Sequence, residues 1–154
     1  MHRYELQVEW TGNRGSGTSG YRDYDRRCLI TATGKPELLG SADRTFHGDA
    51  DRWNPEELLV AALSQCHLLA YLHVAAEAGV VVHGYTDDAH GAMETNRDGS
   101  GQFRSVTLRP RVLVAEAGMI ERAQGLHERA HELCFIARSV NFPVECEPRA
   151  DVRS

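Results

Sequence analysis

No stretch of this sequence approaches the run of about 18 consecutive apolar residues that a membrane-spanning helix needs. The opening Met1-His2-Arg3-Tyr4-Glu5-Leu6 also lacks a basic segment followed by an apolar one. These absences predict a chain with neither a membrane span nor a secretion signal, working in the cytoplasm. Positive charge is in deficit too: the net charge is -5 at pH 7. No general attraction therefore draws the chain to phosphates, and a nucleic-acid partner is not expected. No internal repeat, linker or low-complexity tract divides the 154 residues, which predicts a single domain over residues 1–154, large enough to bury a core and open to pairing with a second copy. Cysteine is sparse, with Cys28, Cys66, Cys134 and Cys146 making four in all. Two bridges are arithmetically open to them, but a reducing compartment favours thiols that are buried, metal-bound or reactive.

What is present begins with a 42% hydrophobic and 25% charged composition, which excludes wholesale disorder. The chain is organised around residues 54–78. Asn54 can cap a first turn, Pro55 suits the first helical position, and Glu56 and Glu57 face the positive end of the helix dipole. Leu58, Leu59, Ala62, Leu63, Cys66, Leu69, Ala70, Leu72, His73 and Ala76 then recur at helical steps, and Gly79 closes the run. This predicts a helix with one wide buried face and Cys66 in the middle of it.

Strict alternation of Tyr4, Leu6, Val8 and Trp10 with Glu5, Gln7 and Glu9 predicts a half-buried strand. Residues 28–33 read as another strand, and the polar residues 34–53 read as loop. Gly15-x-Gly17-x-x-Gly20 lies in a turn-rich stretch with no helical stripe behind it, so it is not read as a dinucleotide site. Residues 85–93 and 103–114 form a strand pair about a polar turn, with Pro110 marking an edge or a bulge. Ile120, Ala123, Leu126, Ala130, Leu133 and Cys134 predict a second helix over 119–136, and Val140, Phe142, Val144 and Cys146 a last strand. The fold class is α+β, with two helices against an antiparallel sheet.

Cys66 and Cys134 both fall on apolar helix faces, where a thiol packs as a small hydrophobe or acts as a nucleophile. As a nucleophile Cys66 needs a cation from elsewhere, because a free thiol titrates near 8.5 and mid-helix is too far from the dipole's positive end. His127-Glu128-Arg129-Ala130-His131 matches His-Glu-x-x-His, and Cys134 is placed to be a third ligand, so metal binding by His127, His131 and Cys134 is an alternative. His67 points about 100° around the helix from Cys66. His73 is expected in the core, and nothing marks Cys28 and Cys146 as more than core residues.

Asn54-Pro55-Glu56 leading into a helix that carries Cys66 resembles the first signature of the OsmC/Ohr family of hydroperoxide and osmotic-stress peroxidases. Residues 130–139, with Cys134, and then Val144-Glu145-Cys146 resemble its second. The order of elements is similar along nearly the whole chain. The resemblance implies an intertwined homodimer with the two helices central and a thiol peroxidase site at the subunit boundary. It implies Cys66 as the peroxidatic thiolate, Cys134 as the resolving thiol and Glu56 as the carboxylate that orients an activating arginine. Arg14 resembles that arginine in the Ohr branch and Arg44 in the OsmC branch, with Arg22 a further candidate; Arg14 is preferred. No cofactor or metal is implied, the substrate is an organic hydroperoxide, and an external dithiol or lipoyl-type reductant completes the cycle. Phe135 stands where the family commonly has proline, and His67 where it commonly has an apolar residue. A non-enzymatic dimer that binds a small apolar ligand is the remaining alternative.

Overall fold

The structure, a computed structural model, describes residues 1–153. It divides into two compact units, Met1–Leu58 and a second that starts at Leu59. The first holds an antiparallel sheet of β1 (Gln7–Trp10), β2 (Cys28–Thr31) and β3 (Leu38–Gly40), in that order. Strand β1 is shorter than the alternation predicts, and all four of its residues are exposed, Val8 at 59%. The alternation marks a face made for burial that this chain leaves open. Strand β3 and a 3-10 turn at Arg44–Phe46 lie in the stretch read as loop, each only three residues long and thus too short to set a period. The glycine-rich loop opens no helix; Asn13 Oδ1 accepts from the Gly15 and Gly17 amides, both at 2.9 Å.

Helix α1 spans Pro55–Glu77, and its ends are fixed by side-chain and backbone chemistry. Asn54 Oδ1 accepts the Glu57 amide at 2.8 Å while Glu57 Oε1 accepts the Asn54 amide at 3.2 Å, a reciprocal capping box. At the other end Gly79 takes φ +72°, the Val80 amide donates to Ala75 O at 2.9 Å and the Gly79 amide to Ala76 O at 3.2 Å. That is a Schellman stop, which an L side chain at position 79 would strain.

The buried stripe of α1 is Leu63, His67, Tyr71, Val74 and Ala75, rotated from the expected face. Leu69, Leu72, His73 and Ala76 are exposed, and His73 pairs with Glu77 at 3.1 Å rather than entering the core. The helix is apolar around most of its circumference, so periodicity alone could not say which side its own subunit would cover. By length and composition α1 would also pass as a membrane span, with a mean hydropathy of 1.6 across its apolar window. Ser64, Gln65 and His67 break any continuous run, yet the average stays high.

After α1 come β4 (Val82–Asp87), β5 (His90–Thr95), β6 (Gly101–Leu108) and β7 (Pro110–Val114), then α2 (Ile120–Leu133), β8 (Val144–Cys146) and β9 (Arg149–Val152). The expected hairpin is present as antiparallel β4·β7 and β5·β6 pairs. The closing strands differ from expectation: β8 joins β6 in parallel, and β9, which the sequence reading missed, joins β7 in parallel. Helix α2 is the crossover that parallel pairing requires. The sheets β4-β7-β9 and β5-β6-β8 are thus successive lengths of one three-stranded ribbon, broken at Asp88-Ala89, Arg109 and Glu147-Pro148. Pro110 starts β7 at that break, and the Arg109 amide donates to Asp87 Oδ1 at 2.6 Å.

Two apolar clusters fill the second unit. Tyr71, Val74, Ala75 and Val80 meet Val112, Val114, Ala123 and Ala130 in one; Leu63 meets Val106 and Leu108 in the other. Leu63 is fully buried. Leu63→Ala is expected to cost about 2–5 kcal/mol and Asn54→Ala about 1 kcal/mol, measured as shifts in urea midpoint at one fixed protein concentration.

Candidate functional site

Cys66 lies mid-helix in α1, half-buried, on the flank next to the buried stripe. It lines an apolar cavity of about 420 Å³ with Leu69, Ala70, His73, Leu133 and Phe135. Cys134 is buried and comes from the end of α2. The expected helix over 119–136 stops at Leu133, and Cys134 is its cap, with extended backbone. The reason is local: Cys134 Sγ accepts the Ala137 amide at 3.4 Å, and a 3-10 turn at Ala137–Ser139 replaces the next helical turn.

The structure brings the two thiols together. Burial pushes the Cys134 thiol up to about 11; the Ala137 amide opposes the rise, and the neighbouring Cys66 thiol adds to it. A second hollow, of about 470 Å³, shares the Leu133 and Phe135 walls and is edged by Arg129 and Arg138. Arg129 is engaged with Glu132 at 2.8 Å.

The other expected site residues lie in the first unit. Arg14 donates to the Arg22 carbonyl and sits 3.7 Å from Asp25, in a polar hollow with Arg22, Tyr24, Arg26 and His47. Arg44 opens the 3-10 turn that Asp43 caps. Glu56 stands in the first turn of α1, its Oε2 buried without a hydrogen-bond partner. Because α1 is unbroken, the ten residues from Glu56 to Cys66 rise about 15 Å, and the two cannot touch one small substrate atom.

The His-Glu-x-x-His helix does not gather the expected ligands. His131 is exposed and Cys134 faces Cys66. His127 instead turns inward, 4% exposed, with Nδ1 at 3.0 Å from Nε2 of His67. Its ring stacks on Tyr71 at 4.2 Å between centroids, and the Tyr71 hydroxyl donates to Ala123 O at 2.9 Å. Cys146 Sγ lies 3.9 Å from His67 Nε2. Burial lowers both imidazoles to about 4, so they are neutral near pH 7, and burial raises the Cys146 thiol to about 11. The sequence reading set His67 and Cys146 aside. The available signal was the four-residue spacing of Leu63, His67 and Tyr71, which places His67 on one stripe with two core residues.

The profile of the family described as OsmC-like protein matches residues 48–149. The chain belongs to the OsmC-like family. An OsmC-like protein of unknown function from Vibrio cholerae is 31% identical, with a TM-score of 0.84 over 96% of this chain and 99% of that one. An organic hydroperoxide resistance protein from Elizabethkingia anophelis shares the fold at 21% identity, TM-score 0.68, over 99% of both chains. The uncharacterized protein YmaD of Bacillus subtilis is 23% identical over 99% of this chain and 95% of its own length. Within this OsmC-like chain, the α1 thiol and the thiol at the end of α2 are the pair that the fold sets side by side.

The unequal environments of the four thiols have a chemical readout. A rise to about 11 leaves the Cys134 and Cys146 thiols about a hundredfold poorer in thiolate than ordinary thiols. Iodoacetamide labelling of the native reduced chain, followed by peptide mass spectrometry, is therefore expected to modify Cys66 well before Cys134 or Cys146. In guanidinium the four should label at similar rates.

Proposed function

We propose that the chain is a thiol-dependent peroxidase that reduces organic hydroperoxides in oxidative-stress defence. The observation that carries this reading is Cys66 in the wall of an apolar cavity with Cys134 as its neighbour, in a chain of the OsmC-like family. Attack by the Cys66 thiolate on the terminal peroxide oxygen forms an S–O bond and breaks the O–O bond. The alkoxide leaves and takes up a proton as the alcohol, and Cys66 is left as a sulfenic acid. The Cys134 thiolate then attacks that sulfur, a disulfide forms, and the hydroxyl departs as water after protonation. An external dithiol or lipoyl-type reductant returns both thiols.

Leu69, Leu133 and Phe135 favour a carbon-bearing peroxide over hydrogen peroxide, because the cavity wall offers apolar contact to an alkyl or aryl group. A cation must stabilise the thiolate and the leaving oxygen. By the family resemblance Arg14 has this role, with Glu56 orienting it, and Arg22 and Arg44 are its competitors.

We further propose a homodimer, cytoplasmic, in which a second copy covers what one chain leaves open. Tyr4 at 90%, Val8 at 59%, Leu69 at 58% and Phe135 at 79% exposure are surfaces that water would disfavour in a lone subunit. The histidine buried in α1 and the sheet packed on it support reading the helix as a core element rather than a span.

Stoichiometric cumene hydroperoxide is expected to remove two titratable thiols per chain, and none in Cys66→Ser. In Cys134→Ser a single sulfenic acid should persist and be trapped by dimedone. Retention of all four thiols in the unaltered chain would refute the peroxidase and leave the ligand-binding reading. Light scattering should give twice 17.1 kDa, and Leu69→Asp should shift the mass toward one chain.

A further inference from the structure

Behind the thiol pair, the second unit contains another convergence of ligand atoms. His67 from α1, His127 from α2 and Cys146 from β8 place one nitrogen, one nitrogen and one sulfur within 4.8 Å of one another. Among the described residues this is the one group of three such side chains so disposed. The residues are 60 and 79 positions from His67 in sequence, so the cluster exists only when both helices and the closing strand are in place.

The spacing fits a tetrahedral metal centre. Bonds of about 2.0–2.1 Å to nitrogen and about 2.3 Å to sulfur put ligand atoms about 3.3 Å apart for a nitrogen pair and about 3.6 Å apart for nitrogen and sulfur. The observed separations are 3.0 Å between His67 Nε2 and His127 Nδ1 and 3.9 Å between His67 Nε2 and Cys146 Sγ. The distances differ by a few tenths of an ångström; the two rings lie within 6° of parallel with centroids 5.3 Å apart, so they meet end to end, and each must also tilt to aim its nitrogen at a shared ion.

Charge favours the same reading. A divalent ion bound by one thiolate keeps one positive charge, and the Asp87 carboxylate acts electrostatically on both His67 and Cys146. Asp87 is not free to be a ligand itself: its oxygens accept the Ser64 hydroxyl at 2.5 Å and the Arg109 amide at 2.6 Å. It is a fixed negative charge beside the site. Donors of this type, two imidazoles and a thiolate, suit zinc and leave a fourth position open.

We propose that His67, His127 and Cys146 form a binding site for a divalent ion of the zinc class, separate from the Cys66 and Cys134 pair. On binding, the Cys146 thiol gives its proton to solvent, the hydrogen shared between His67 Nε2 and His127 Nδ1 moves to the outer nitrogen of the ring that carries it, and no oxidation or reduction is involved. The ion ties α1, α2 and β8 together, so it acts first on the rigidity of the scaffold that presents Cys66.

Cobalt(II) titration of the metal-free, reduced full-length chain under anaerobic conditions tests this, because thiolate coordination gives a near-ultraviolet charge-transfer band and tetrahedral geometry gives intense visible bands. The expected result is one cobalt per chain, displaced by zinc, both in the unaltered protein and in the Cys66→Ser, Cys134→Ser double variant. Cys146→Ser should abolish the charge-transfer band with far-ultraviolet circular dichroism unchanged, and His127→Gln should weaken binding at least about 100-fold. If Cys146→Ser unfolds, His127→Gln decides: unchanged affinity there overturns the site. Absence of the band in the unaltered chain, or its loss in the double variant, overturns it as well. The double variant has no peroxidatic thiol, so its cobalt spectrum stands or falls independently of peroxidase activity.

Discussion

Helix α1 carries more apolar surface than its own unit can cover. The stripe of Leu63, His67, Tyr71, Val74 and Ala75 is buried against the ribbon and α2, and that contact fixes the rotation of the helix about its axis. Once the rotation is set, Cys66 must stand on the flank of the stripe rather than within it. It must also face the end of α2, where Leu133 and Phe135 wall the same cavity. The packing that makes the core and the placement that makes the thiol usable are therefore one event. A rotation of α1 by one residue, about 100°, would carry Cys66 into the buried stripe and take His67 out of it.

Much of this was legible in the sequence because the signals were local. Asn54, Pro55 and Gly79 bound α1 to within a residue, since capping and left-handed closure are decided by neighbours in the chain. The strand pair about residues 96–100 was legible for the same reason. The side of α1 that faces inward was not, because Leu69 and Leu72 are as apolar as Leu63 and only the ribbon's position distinguishes them. Parallel closure by β8 and β9 was hidden too, as strand direction is set by the crossover and leaves no period in the residues themselves.

The site divides along the same line. The pairing of Cys66 with Cys134 came from family signatures, not from spacing, and the fold brings the two thiols together. The His-Glu-x-x-His pattern pointed to His127 and misassigned its companions. A helix presents positions four apart on one face, but whether that face looks to solvent or to another imidazole depends on α1. His67 and Cys146 acquire meaning only through one another, which no single segment of sequence displays.

Cys134 ends its helix instead of lying within it, and this bears on how the chain would accommodate the disulfide of the proposed cycle. In the structure the Cys134 sulfur is held by one weak contact, the Ala137 amide on Sγ, at the head of a short turn. No helical hydrogen bond of α2 need open. Closing the proposed bridge would thus move Cys134 and the short turn after it, and the two helices could remain as fixed walls.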